Sequence, residues 1–439
     1  MLRNIENKCK WSVLLKRPWI ERNLESVPFS DRLKQKRRLL FHFTTFRFLV
    51  AFFLFLNLSG SLWAQNRADA PILSKEAQIS IITCGAGPIL YEAFGHSAVR
   101  VVDKTQGMDL VFNYGIFDFN QANFYGNFAL GFMRYKLGLS GGEEFLYQYR
   151  FYKRSVREQV LNLDSSQKQA IINYLNSNLL PKNREYFYDY FYNNCSTKIV
   201  ELIDSALQHQ VIWQSAEPEG NVTYRKLIHQ YTVFQPWGRL GIDIGLGAII
   251  DKPLVGRQLD FLPDGLEHDL FRAVIKRGQI QVPLVIQSSV LYDAPVFYGD
   301  DPFWIGPVFL FSVILLITLG LCWKSARFPK VLLVWRSLLF VLVGMIGWVE
   351  LLIWLFTNHK AAAWNYNLLW ANPLFLILGL LWPYIENRFS ALKTGLSFYF
   401  AAILVLWFML PQGMNPVLIP LVMSLFVLVW ITPKSKIAG

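Results

Sequence analysis

Cysteine, histidine and acidic side chains are all scarce in this chain of 439 residues. Four cysteines and six histidines are present. They do not cluster at zinc-ligand spacing, so no metal site is expected. No glycine-rich phosphate loop occurs, and the pair Gly245 and Gly247 is too weak a signal for a nucleotide site. A Gly-x-Ser-x-Gly elbow is also missing, which removes the commonest serine-hydrolase arrangement. No cofactor is expected. Internal repeats and low-complexity tracts are absent as well. Thirty-one acidic residues face 43 basic ones, a net charge of +12. The basic residues are dispersed along the flanks of apolar runs, so the excess reads as a topology signal and gives no basis for nucleic-acid binding.

Apolar and aromatic residues are abundant. Hydrophobic residues make up 53% and aromatic residues 16% of the chain, and the mean hydropathy of +0.28 is too high for an ordinary soluble protein. Residues 1–43 form a basic leader expected in the cytoplasm, and residues 44–65 carry a signal peptide or signal anchor. The length of that leader points to a true start downstream of Met1. Residues 66–301 mix polar and aromatic residues without any run able to span a bilayer, and read as one extracytoplasmic domain. Residues 302–433 hold about five apolar runs, at 303–322, 338–356, 368–384, 395–410 and 417–431. Lys324, Arg327, Lys330 and Arg336 follow the first run, and Arg388 and Lys393 the third, whereas residues 357–367 carry only Lys360. The positive-inside rule then places 66–301 and the 357–367 loop on the outer side of the membrane.

Two segments of the outer domain carry reactive side chains. In the first, Ile79, Ile81 and Ile82 and then Ala98, Val99 and Val101 predict two strands separated by Gly85, Gly87 and Pro88, with His96 opening the second. Alternation puts Ala98 and Arg100 on the face of His96. In the second, Asn193 or Asn194 is a good helix cap, and residues 195–207 are amphipathic through Ile199, Leu202, Ile203 and Ala206. Cys195 then sits in the first helical turn, where unsatisfied amides favour a thiolate. A thiolate next to an imidazole is a nucleophile. Two plainer readings compete with it: a buried structural cysteine, and a disulfide between Cys84 and Cys195. Strand character is also expected at 111–119 and helices at 143–152 and 165–179, while 125–138 fits neither template.

A histidine strand that precedes a cysteine helix resembles the circularly permuted papain-like fold, an α+β class found in NlpC-type peptidases and lecithin:retinol acyltransferase relatives. Longer stretches are similar to the Lnb family. They are Phe94-Gly95-His96-Ser97-Ala98-Val99-Arg100, Phe112-Asn113-Tyr114-Gly115, Tyr190-Phe191-Tyr192-Asn193-Asn194-Cys195-Ser196-Thr197 and Phe261-Leu262-Pro263, joined in the C-terminal half by Thr357-Asn358-His359, Asn365-Tyr366-Asn367-Leu368-Leu369 and Asn372-Pro373. The resemblance implies a lipoprotein N-acyltransferase of the inner membrane with a periplasmic catalytic domain and a helical transmembrane bundle. Its partners would be a phospholipid acyl donor and a diacylglyceryl lipoprotein acceptor, with Cys195 carrying the acyl chain as a thioester and His96 acting as base. Asn113 is the first choice to orient His96, with Tyr114 and Asp109 as alternatives. Asn194 is assigned to the helix cap, an oxyanion site or both, and Tyr114 to the oxyanion site or its support. Arg100 is assigned to the donor phosphate or to a structural salt bridge, and His359 to lipid headgroups or a local cap. A membrane-anchored peptidase acting on peptidoglycan is the competing enzyme, and a lipid-binding scaffold the competing non-enzyme.

Overall fold

The computed structural model describes residues 70–117, 123–215, 220–295, 306–385 and 388–431. The basic leader and signal segment expected at 1–65 lie outside them. The outer domain runs β1 (Gln78–Cys84), β2 (His96–Asp103), β3 (Met108–Ile116), α1 (Phe124–Leu130), β4 (Arg134–Gly141), α2 (Gly142–Phe151), β5 (Val156–Leu161), α3 (Ser165–Leu179), β6 (Glu185–Phe187), α4 (Cys195–Ala206), β7 (Val211–Ile212), α5 (Tyr224–Tyr231), α6 (Pro236–Gly245), α7 (Pro263–Arg272), β8 (Val274–Arg277), β9 (Ile280–Pro283) and β10 (Val285–Tyr292). Seven strands form one antiparallel sheet in the order β10-β5-β1-β2-β3-β4-β6.

Period-two alternation gives this sheet two apolar faces. Ile79, Ile81, Val99, Val101, Phe112 and Tyr114 pack on one face against Ile171 and Leu175 of α3, Ile199 and Ile203 of α4, and Leu266 of α7. Ile82, Cys84, Ala98 and Val111 pack on the other against Phe145, Leu146 and Tyr149 of α2. The structure has the α+β, circularly permuted papain-like class read from the sequence, with the histidine strand ahead of the cysteine helix, followed by a helical membrane region. The stretch 125–138 that fitted neither template is a seven-residue helix followed by a strand. Residues in left-handed conformation flank that helix at both ends, Asn123 and Gly131. Its aromatic residues are weak helix formers, and none of its residues is buried.

The apolar half runs α8 (Pro307–Trp323), α9 (Pro329–Phe356), α10 (Leu374–Ile385), α11 (Ser390–Leu406) and α12 (Ile419–Trp430). Two stretches are long and apolar enough to cross a membrane by themselves, Pro329–Phe356 and Tyr366–Ile385. The first starts nine residues ahead of the run read from the sequence at 338, because Arg336 is inside it. Arg336 is 1% exposed and donates to the carbonyl of Ile431 at 3.0 Å, past the end of α12. A cation at a helix C-terminus satisfies an orphan carbonyl and the helix dipole together.

Polar side chains tie the two halves together. Asn365 and Asn367 donate to the carbonyl of Ile244, and Gln412 to that of Leu246, so loops of the bundle cap the C-terminal end of α6. Beneath them Arg225 of α5, 2% exposed, pairs with Asp243 at 2.8 Å and Asp251 at 2.9 Å. Asp243 also accepts from Asn415 at 2.8 Å. The Asn365-Tyr366-Asn367 motif is therefore a docking device.

Candidate active site

At one end of the sheet the start of β2 and the start of α4 come together. Asn194 builds the helix start: its side-chain oxygen accepts from the amides of Ser196 and Thr197, and Thr197 Oγ1 accepts from the Asn194 amide in return. That reciprocal cap uses the second and third amides of α4 and leaves the first, on Cys195, unspent by it. The Asn194 side-chain amide donates to the carbonyls of Tyr190 at 2.8 Å and Phe261 at 2.7 Å. With both of its N–H groups taken, Asn194 has no donor left for an oxyanion. Its place is support, and it locks the Phe261-Leu262-Pro263 motif to the helix start.

His96 reaches the thiol from β2. Its Nε2–H donates to the Asn113 side-chain oxygen at 2.5 Å, so the hydrogen bond between imidazole and thiol falls to Nδ1. Burial raises the Cys195 thiol, but the neighbouring imidazole, the Ser97 amide and the Ser196 hydroxyl outweigh it and bring the thiol down from 9.0 to about 7. Burial lowers the basicity of His96, and the nearby sulfur and Asn113 more than reverse this. The pair is thus biased toward thiolate and imidazolium. Two glycines make room for it. Gly95 has φ +74°, and a Cβ there would stand 2.6 Å from the Cys84 carbonyl oxygen. Gly115 has φ +97°, and a Cβ there would stand 3.7 Å from the Cys195 Cβ and 3.8 Å from the His96 Cε1.

Other expected positions fall elsewhere, for reasons of geometry. Tyr114 points to the α3 and α4 face, where its hydroxyl accepts from Asn178 at 2.8 Å. Adjacent strand residues face opposite ways, so Asn113 and not Tyr114 shares a face with His96. Asp109 is held by Arg100 at 2.7 Å, and Arg100 also pairs with Glu158 at 3.3 Å. Arg100 is on the face of His96 but four residues further along the strand, about 13 Å away. It is a structural salt bridge and does not line the cavity at Cys195. Cys84, Cys195 and Cys322 are free thiols, so the Cys84–Cys195 disulfide does not form. Cys84 pairs with His96 across the β1–β2 ladder, and burial pushes its thiol up to about 12.

Cys195, His96 and Asn113 open into a cavity of about 860 Å³. Aromatic side chains from the tyrosine-rich approach to α4 line it, among them Tyr188 and Tyr190. Tyr188 stacks on Tyr135 with ring centroids 4.2 Å apart. Burial first, and then the charge of the nearby sulfur, keep its hydroxyl protonated. The buried Tyr190 hydroxyl has no hydrogen-bond partner among the described residues. The sequence shows 181–192 as a tyrosine-rich approach to Cys195, and Tyr190 inside a family-like stretch, but assigns neither tyrosine a role. His359 lines the cavity rim from the loop after α9, where its Nε2 bonds the Phe128 carbonyl oxygen at 3.0 Å. Among the described residues no cluster of His, Cys, Asp or Glu is arranged to hold a metal ion.

A family model described as the Lnb N-terminal periplasmic domain matches residues 64–230, and a second described as the Lnb transmembrane domain matches residues 300–434. The chain belongs to the Lnb family. No curated protein and no solved structure matches it. Like the family, the chain is a membrane protein with a periplasmic catalytic domain, and it is a thiol-dependent lipoprotein N-acyltransferase. Its substrates are phospholipid and lipoprotein, and the peptidoglycan peptidase reading falls away with the family assignment.

Proposed function

We propose that Cys195 carries the acyl chain, that His96 handles the protons and that Asn113 positions His96, in a transfer from phospholipid to the α-amino group of a diacylglyceryl-cysteine lipoprotein. The observation that carries this reading is the continuous line of thiol, imidazole and amide facing a cavity whose rim includes the loop after the longest membrane helix. In the first half-reaction the thiolate attacks the ester carbonyl carbon of the donor. The carbon–oxygen bond breaks, His96 gives its proton to the leaving oxygen, and lysophospholipid departs. In the second, the neutral amine of the acceptor attacks the thioester carbonyl carbon. Its proton passes to His96, the carbon–sulfur bond breaks, and amide and thiolate are formed. Each tetrahedral intermediate needs donors aimed at its oxyanion. The Cys195 amide and the Tyr188 hydroxyl are the groups assigned to it, since Asn194 is fully used by the cap and the Tyr114 hydroxyl is turned away.

The test uses purified protein in detergent with phospholipid labelled in its acyl chain. A hydroxylamine-sensitive adduct on Cys195 and released lysophospholipid are expected, and adding a diacylglyceryl-cysteine peptide moves the label onto the peptide as an amide. A peptide with a blocked N-terminus leaves the label on the enzyme. Labelled adduct in Cys195→Ala, or peptide acylation without Cys195, ends this assignment.

A further inference from the structure

The cavity at Cys195 has a side groove of about 190 Å³, and the two share Tyr91, Phe117, Phe128, Met133 and Tyr135 as common walls. Phe124 and Phe132 also line the groove, so its walls are mostly apolar and aromatic, with Asn127 and Arg134 as the polar exceptions. We propose that this groove, roofed by α1, holds the acyl chain of the donor phospholipid while its ester carbonyl reaches Cys195. The proposal rests on the acyl-enzyme reading above and adds to it where the chain goes.

Three observations carry it. First, the groove adjoins the cavity of the thiol across five shared side chains, and an acyl chain is the one part of either substrate that must extend from the reacting carbonyl as unbroken hydrocarbon. Second, its height is fixed against the membrane. The Asn358 amide, two residues past α9, donates to the Leu130 carbonyl at the end of α1 at 2.8 Å, and His359 bonds the Phe128 carbonyl oxygen. The groove therefore opens at the outer end of a membrane-spanning helix. Third, α1 and its neighbours present large side chains outward that a water-facing surface does not favour. Tyr125 is 82% exposed and Phe128 53%. Phe132 packs on Phe187 with ring centroids 6.2 Å apart, and the Arg134 guanidinium lies over Phe187 at 5.5 Å. Aromatic rings with an adjoining cation are the composition of a membrane interface. A lipid in the outer leaflet can thus bend one chain into the groove without leaving the bilayer.

The chain-length dependence of thioester formation tests the proposal, measured on the full-length protein in detergent with no acceptor present and normalised to alkylatable Cys195. Dipalmitoyl- and dihexanoyl-phosphatidylcholine serve as donors. Each buried methylene is worth about fourfold in binding. Phe132→Trp, which takes up room for about one methylene, is expected to lower the long-to-short rate ratio by about fourfold. Phe132→Ala, which enlarges the groove, is expected to raise the ratio, and it keeps the test open if the larger side chain impairs folding. Adduct formation from both donors with the same ratio in all three proteins overturns the groove and leaves the acyl-enzyme standing. A ratio that changes only when acceptor peptide is added gives the groove to the acceptor and also overturns it. No adduct on wild-type Cys195 from either donor refutes the acyl-enzyme reading itself, on which the groove depends.

Discussion

The reactivity of Cys195 is set by a contest between burial and its neighbours. Burial alone raises a thiol, as it does for Cys84, which is inert at about 12 behind the same histidine. Cys195 ends at about 7 because His96 and the Ser97 amide stabilise the anion. Alkylation of Cys195 is therefore expected to rise with pH through a midpoint near 7 in wild type. In His96→Ala burial is left without its main opponent, and the midpoint moves above 9.0, the ordinary value. Iodoacetamide rates across a pH series read this directly, and coincident profiles would show that the two groups are uncoupled. Acyl transfer in that variant should fall on the order of 10²–10⁴-fold, the worth of a general base. Asn113 could be chosen over Tyr114 from the sequence only by supposing which face His96 uses. The β2–β3 pairing decides it, and pairing is a long-range property.

Among the elements, legibility followed locality. Helix α3 runs over the residues read from the sequence, 165–179, because Asp164 and Gln167 form a capping box within four residues. Helix α4 was equally plain from Asn194 and its apolar stripe. The start of α9 was hidden by Arg336, whose charge is answered by a carbonyl 95 residues away. The role of Asn365 and Asn367 was hidden in the same way, since the carbonyls they cap belong to α6. The cluster centred on Arg225 depends on three separate segments, and breaking it should be costly. Arg225→Met leaves the buried Asp243 and the partly buried Asp251 without their shared cation, with His229 still 2.8 Å from Asp243, and is expected to cost about 3 kcal/mol. Thermal unfolding in detergent measures this, and a change within 1 kcal/mol, on the scale of an exposed ion pair, would mean that the cluster is solvated.

At the scale of the whole molecule, charge asymmetry and chemistry point the same way across the membrane. Reporter fusions after Asn221 and within residues 360–365 are expected to read as periplasmic, and fusions after Lys324 as cytoplasmic. A cytoplasmic signal at Asn221 would contradict the siting of the thiol. The catalytic domain is held to the bundle by buried polar contacts, so the thiol stays at a fixed height above the bilayer. Cys195 opens into one cavity, and about 860 Å³ is the size of a pocket for a single drug-sized ligand. Donor and acceptor heads must then use that space in turn, which has a kinetic signature. Double-reciprocal plots of rate against acceptor at several donor concentrations should give parallel lines. Excess donor should inhibit by competing with acceptor for the acylated enzyme, so the balance of lipid to lipoprotein in the membrane itself throttles the rate of maturation.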